Sequence, residues 1–125
     1  MEDVEFSDEF CRFLQASIPA VDAAEVLLLL YGRRDATFTP EEAVARLGPG
    51  VSVSNTRRYL ETFAASNLAE AADGRYRFRD SALSPLVETL AQAFSHRPVT
   101  LIRIIYALRD TRIQTFADAF KLRRT

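Results

Sequence analysis

Apolar residues recur along this chain at intervals of three and four, and the breaks in that rhythm fall at residues that stop helices. Val4, Phe6, Phe10, Phe13, Leu14 and Ile18 make one stripe, with Ser7 in position to cap it. This predicts a first helix running to about Ala16. "SIPAVD" ends it at Pro19. Asp22 is the expected N-cap of a second helix, Ala23 to about Arg33. That segment is apolar nearly all round, which places it at the centre of the core. Arg33 and Arg34 close it, where cations suit the helix dipole.

"TFTPEEAVARLGPG" carries a full set of helix signals. Thr39 stands at the N-cap, Pro40 at the first helical position, and Glu42 three residues on completes a capping box. Ala43, Val44 and Leu47 face inward. Gly48 stops the helix and Pro49-Gly50 turns the chain. Ser52 caps the next helix, Val53 to about Ser66, with Val53, Thr56, Leu60, Phe63 and Ala64 as its buried face. Asn67 is the expected left-handed stop.

The period then changes from helical to alternating. Leu68 to Ala71 pairs with Tyr76 to Arg79 across Asp73-Gly74, a hairpin signal. Tyr76 and Phe78 point one way; Arg75, Arg77 and Arg79 point the other. Ser84-Pro85 opens a helix to about Phe94, with Leu86, Leu90 and Phe94 on one face. "SHRP" interrupts the chain, and Pro98 starts "PVTLIRIIYAL". Its β-branched content suits a strand, but the proline start and the length favour a helix. A last short helix, "IQTFADAFKLRR", carries Ile113, Phe116, Ala117 and Phe120 inward. The chain shows no internal repeat, low-complexity tract or long linker.

At 125 residues and 48% apolar content the chain fits one domain with a modest core. The densest apolar run, "AAEVLLLLYG", is too short to span a bilayer. The start "MEDVEFSDEF" is acidic, the reverse of a signal peptide, so the expected location is cytoplasmic, with no membrane partner. The net charge of −1 conceals an asymmetry: ten acids and four bases in residues 1–50, but seven acids and twelve bases in 51–125. The basic half suits a phosphate-facing surface, although a pI near 5.8 is low for nucleic-acid binding.

Enzyme chemistry finds little support in the sequence. One cysteine, Cys11, excludes an internal disulfide and a multi-cysteine zinc site. His96 is the single histidine and has no metal-ligating neighbours in sequence. No second catalytic residue brackets Ser54, Ser95 or Cys11. Cys11 sits near an apolar stripe and is expected to be a buried, inert thiol. Gly48 and Gly50 are turn residues, not a phosphate-cradling loop. The expectation is a non-enzyme without cofactor or metal.

The order helix, short capped helix, turn, helix, hairpin resembles the winged helix-turn-helix fold of small bacterial regulators of the MarR type. "TPEEAVARLG" is similar to the first helix of that motif. "NTRRYLETFAASNLAEAADGRYRF" is similar to its recognition helix running into the wing, including the apolar step Leu60, Phe63, Leu68. The likeness covers roughly Ala23 to Arg79. One departure is "PGVSVSN", longer than the usual turn ahead of the arginine pair. The resemblance implies a mainly α fold with a small β-hairpin. It would be a single domain over 1–125, with a winged-helix core at about 22–80 and a helical extension at about 81–125.

In that family the second helix of the motif enters the major groove with its N-terminal residues at base edges. Carried onto this chain, the exposed positions are Ser54, Asn55, Arg57, Arg58 and Glu61. Arg75, Arg77 and Arg79 would lie along phosphates or in the minor groove. Arg33, Arg34, Lys121, Arg123 and Arg124 read better as solvated helix-end charges. The implied function is sequence-specific binding of double-stranded DNA by a transcriptional regulator. A winged helix used to bind a protein partner, without DNA, is the alternative. A homodimer through the terminal helices and a ligand-gated form also stay open.

Overall fold

The computed structural model describes residues 6–109. Among them the elements run α1 (Asp8–Ser17), α2 (Val21–Gly32), α3 (Pro40–Leu47), α4 (Val53–Ala65), β1 (Ala69–Ala72), β2 (Arg75–Phe78), α5 (Ser84–His96) and α6 (Pro98–Arg109). The fold is mainly helical with one small antiparallel hairpin, and the β-branched segment after Pro98 is a helix. No single helix among the described residues is long and apolar enough to cross a membrane. Val4, the "IQTFADAFKLRR" segment, Lys121, Arg123 and Arg124 lie outside the described residues.

Local chemistry sets most of the boundaries. The Ser7 hydroxyl accepts from the Phe10 N–H at 3.1 Å and starts α1. Pro19 follows its end, and α2 leaves at about 100° to α1. The start of α2 corrects an expectation. Its N-cap is Ala20, which makes no side-chain cap bond, and Asp22 lies inside the first turn. Asp22 is engaged instead by the Tyr59 hydroxyl of α4, at 2.9 Å. A carboxylate there still suits the positive end of the helix dipole.

The capping box of α3 is complete. Glu42 N–H donates to the Thr39 hydroxyl and Thr39 N–H donates to Glu42 Oε1, both at 3.1 Å. Gly48 ends α3 at φ +93°. Val51 is buried, and the Ser52 hydroxyl accepts from Asn55 N–H at 3.0 Å to start α4. Asn67 adopts φ +66° and sends the chain into β1. Asp73 and Gly74 both take positive φ, as a type I′ turn requires, and set the register Ala69↔Phe78 through Ala72↔Arg75. The segment before α3 adds a single bridge to the hairpin: Phe38 and Tyr76 exchange both backbone hydrogen bonds, at 2.9 and 2.8 Å.

One apolar cluster links all the described helices to the hairpin. α2 sits at its centre, packed against α3, α4, β2 and α5, while α1, α5 and α6 pack on one another. Phe10, Leu14, Leu27, Leu30, Leu60, Phe63, Leu90, Leu101 and Ile105 are almost fully shielded, each contributing about 1.5–3 kcal/mol of burial. The inward face of α5 is turned from the expected one. Val87, Leu90 and Ala93 are buried, and Leu86 and Phe94 only half-buried. Cys11 is half-buried, not buried.

Candidate nucleic-acid interface

The rotation of α4 about its own axis is set from both sides. Thr56, Leu60 and Phe63 are buried, and the Tyr59 hydroxyl is tied to Asp22 on α2. Burial pushes the Tyr59 phenol up to about 12, with the Asp22 carboxylate reinforcing it. With that face fixed, Ser54, Arg57, Arg58 and Glu61 are exposed. The long turn before α4 therefore leaves the arginine pair one turn into the helix and facing outward. Asn55 is half-buried: its backbone N–H serves the Ser52 cap, and its side-chain oxygen accepts a hydrogen bond from Arg58.

Most of the other predicted arginines meet carboxylates of the same surface. Arg57 Nη2 lies 3.2 Å from Glu41 Oε2 at the start of α3. Arg75 Nη2 donates to Glu42 Oε1 at 2.7 Å and to the Thr37 carbonyl at 3.2 Å, and its Nε donates to the Thr37 hydroxyl at 2.8 Å. Arg75 thus clamps the hairpin to the segment ahead of α3. The Thr39 N–H, with Arg75 behind it, holds the Glu42 carboxyl below its ordinary value. Arg77 Nη2 pairs with Glu70 Oε1 at 2.7 Å. These two residues are also register partners across the hairpin. Arg79 is exposed, and its side chain and that of Ser54 have no partner among the described residues.

The start of α3 brings Arg57 and Arg75 together through the adjacent Glu41 and Glu42, and the seven predicted residues differ in state. Arg58 is held by Asn55, while Arg57, Arg75 and Arg77 each have a glutamate. From Pro40 to Asp80 the chain carries six arginines and six carboxylates, so this segment is rich in charge but balanced. Glu41, Glu42 and Thr37 join the predicted residues through their contacts with Arg57 and Arg75. The hairpin register pointed to Glu70, and nothing local pointed to Glu41. Arg34 belongs elsewhere: it lies over the Tyr31 and Phe78 rings and 3.4 Å from Asp80, tying α2 to the end of the hairpin.

A groove of about 440 Å3 lies between the start of α2, the Pro49–Val51 turn and Tyr106; Asp22 and Glu25 line it and none of these arginines does. Comparison with family models, curated proteins and solved structures returned no match for this chain.

Proposed function

We propose that α2, α3, α4 and the hairpin form a winged helix-turn-helix unit that binds double-stranded DNA. The first two turns of α4 would enter the major groove, and the hairpin would follow the flanking phosphates. The observation that carries this reading is the outward presentation of Ser54, Arg57 and Arg58 on a helix whose opposite face is locked by Thr56, Leu60 and Phe63. Arg58 can reach guanine, and the free Arg79 suits a phosphate. Regulation of transcription would follow from such binding.

A salt series of fluorescence-anisotropy titrations with labelled duplex tests it. Arg57→Ala with Arg58→Ala is expected to weaken binding at least about tenfold and to flatten the salt slope by about 0.9 for each phosphate no longer neutralised. Unchanged affinity and slope would remove α4 from the interface.

The balanced charge of the Pro40–Asp80 segment and the glutamate partners of Arg57, Arg75 and Arg77 favour a second reading, a docking surface for a protein partner. A stoichiometric partner recovered with the protein, absent with the same double variant, with no duplex binding at low salt, would replace the first reading with this one.

A further inference from the structure

We infer that Glu41 and Glu42 act as built-in counter-ions that hold down the affinity of this surface for DNA. The inference rests on the DNA-binding reading above. Both residues lie in the first turn of α3, and each faces a different part of the interface. Glu41 meets Arg57 of α4 at 3.2 Å, and Glu42 meets Arg75 of the hairpin at 2.7 Å.

A phosphate that approaches either guanidinium meets a carboxylate already in place. It must displace that carboxylate or share the cation with it. These pairs are roughly half exposed, so they are weak and exchangeable. The carboxylates therefore tune binding and do not block it. Their position is fixed by the helix start: Glu42 is locked into the capping box, which keeps Glu41 beside it on α3.

The same capping chemistry supplies a clean test. Glutamine serves the third helical position of a capping box as glutamate does, so Glu42→Gln removes the charge and keeps the cap. Each charge removed should tighten binding about two- to threefold, the size expected of a half-exposed ion pair that a phosphate no longer has to displace. The salt slope should steepen by about 0.9 for each arginine freed.

The experiment is an anisotropy titration with a random-sequence labelled duplex at low and moderate salt. It compares wild type, Glu41→Gln, Glu42→Gln, the double variant, and Glu41→Gln combined with Arg57→Ala. Thermal melts confirm that each is folded. The expected result is a stepwise gain across the glutamine variants, with the Glu41→Gln gain abolished once Arg57 is absent. Duplex binding by wild type with no gain in any glutamine variant overturns the counter-ion role and leaves DNA binding standing. A gain that persists without Arg57 assigns the effect to overall charge and overturns the pairing. No duplex binding by any variant overturns the DNA-binding reading and the counter-ion role with it.

Discussion

Tyr59 joins two helices through one hydroxyl, and its ionisation reports on that contact. Its phenol is half-buried against α2 and donates to Asp22, which raises its value from the ordinary 10.0 to about 12. The neutral form is the one the fold prefers. The contribution is therefore fully present below pH 10 and is lost as pH rises through about 12. A spectroscopic titration of tyrosinate, wild type minus Tyr59→Phe, should give a midpoint near 12 for this residue. A midpoint near 10 would show the hydroxyl is not held against α2. At neutral pH the same substitution should cost about 0.5–1.5 kcal/mol in urea unfolding. Tyr59 and Asp22 stand 37 positions apart, so no local pattern announces the contact. That is why Asp22 reads as a cap in the sequence although its partner is on α4. Thr56 repeats the lesson. Its spacing marks it as buried, yet nothing in the sequence shows that its hydroxyl goes without a hydrogen-bond partner among the described residues.

Two glycines that end helices show how an element boundary is enforced. Gly32 closes α2 and Gly48 terminates α3, and a methyl group added at either meets nothing within 4 Å. Crowding is thus equal and backbone conformation alone separates them. Gly48 sits at φ +93° and ψ −171°, a region essentially confined to glycine, whereas Gly32 has no such constraint. Gly48→Ala should destabilise by about 1–3 kcal/mol, and Gly32→Ala should stabilise by about 0.4–1 kcal/mol through the unfolded chain. Opposite shifts in the urea midpoint check both; a harmless Gly48→Ala would mean that the turn into α4 does not need this conformation. Boundaries of this type were legible because they are local. Thr39-Pro40-Glu42, Ser52, Asn67 and Asp73-Gly74 each place a specific side chain or φ where the chain must start or stop. The candidate interface was legible only in part. The outward positions of Ser54, Arg57, Arg58 and Glu61 follow from helical period, whereas Asn55, expected outward, is half-buried with its side chain bonded to Arg58; pairing with Glu41 and Glu42 depends on how α3 meets α4 and the hairpin. The Phe38 bridge was missed for the same reason, since one residue of extended chain gives no periodic signal.

At the scale of the molecule, the position of α2 decides whether the described chain unfolds as one unit or two. α3, α4 and the hairpin pack together, and α1, α5 and α6 pack together. A chain built this way can lose one group while keeping the other if little joins them. Here α2 packs against α3, α4 and β2 and also against α5, and its buried Ala23, Ala24, Val26, Leu27 and Leu30 belong to the same apolar cluster as Leu60 and Leu101. Losing α2 would uncover both groups at once, a cost that neither can recover locally. Leu27→Ala should therefore destabilise by about 2–5 kcal/mol, the range for a fully enclosed leucine. It should do so equally for both groups, a large share of the roughly 5–15 kcal/mol such a domain holds. Native-state amide hydrogen exchange reads the two groups separately. The slowest amides of α4 and of α6 should lose the same free energy of protection in the variant. If α6 amides keep wild-type protection while those of α4 lose theirs, α1, α5 and α6 form an independently stable unit and α2 does not couple the halves.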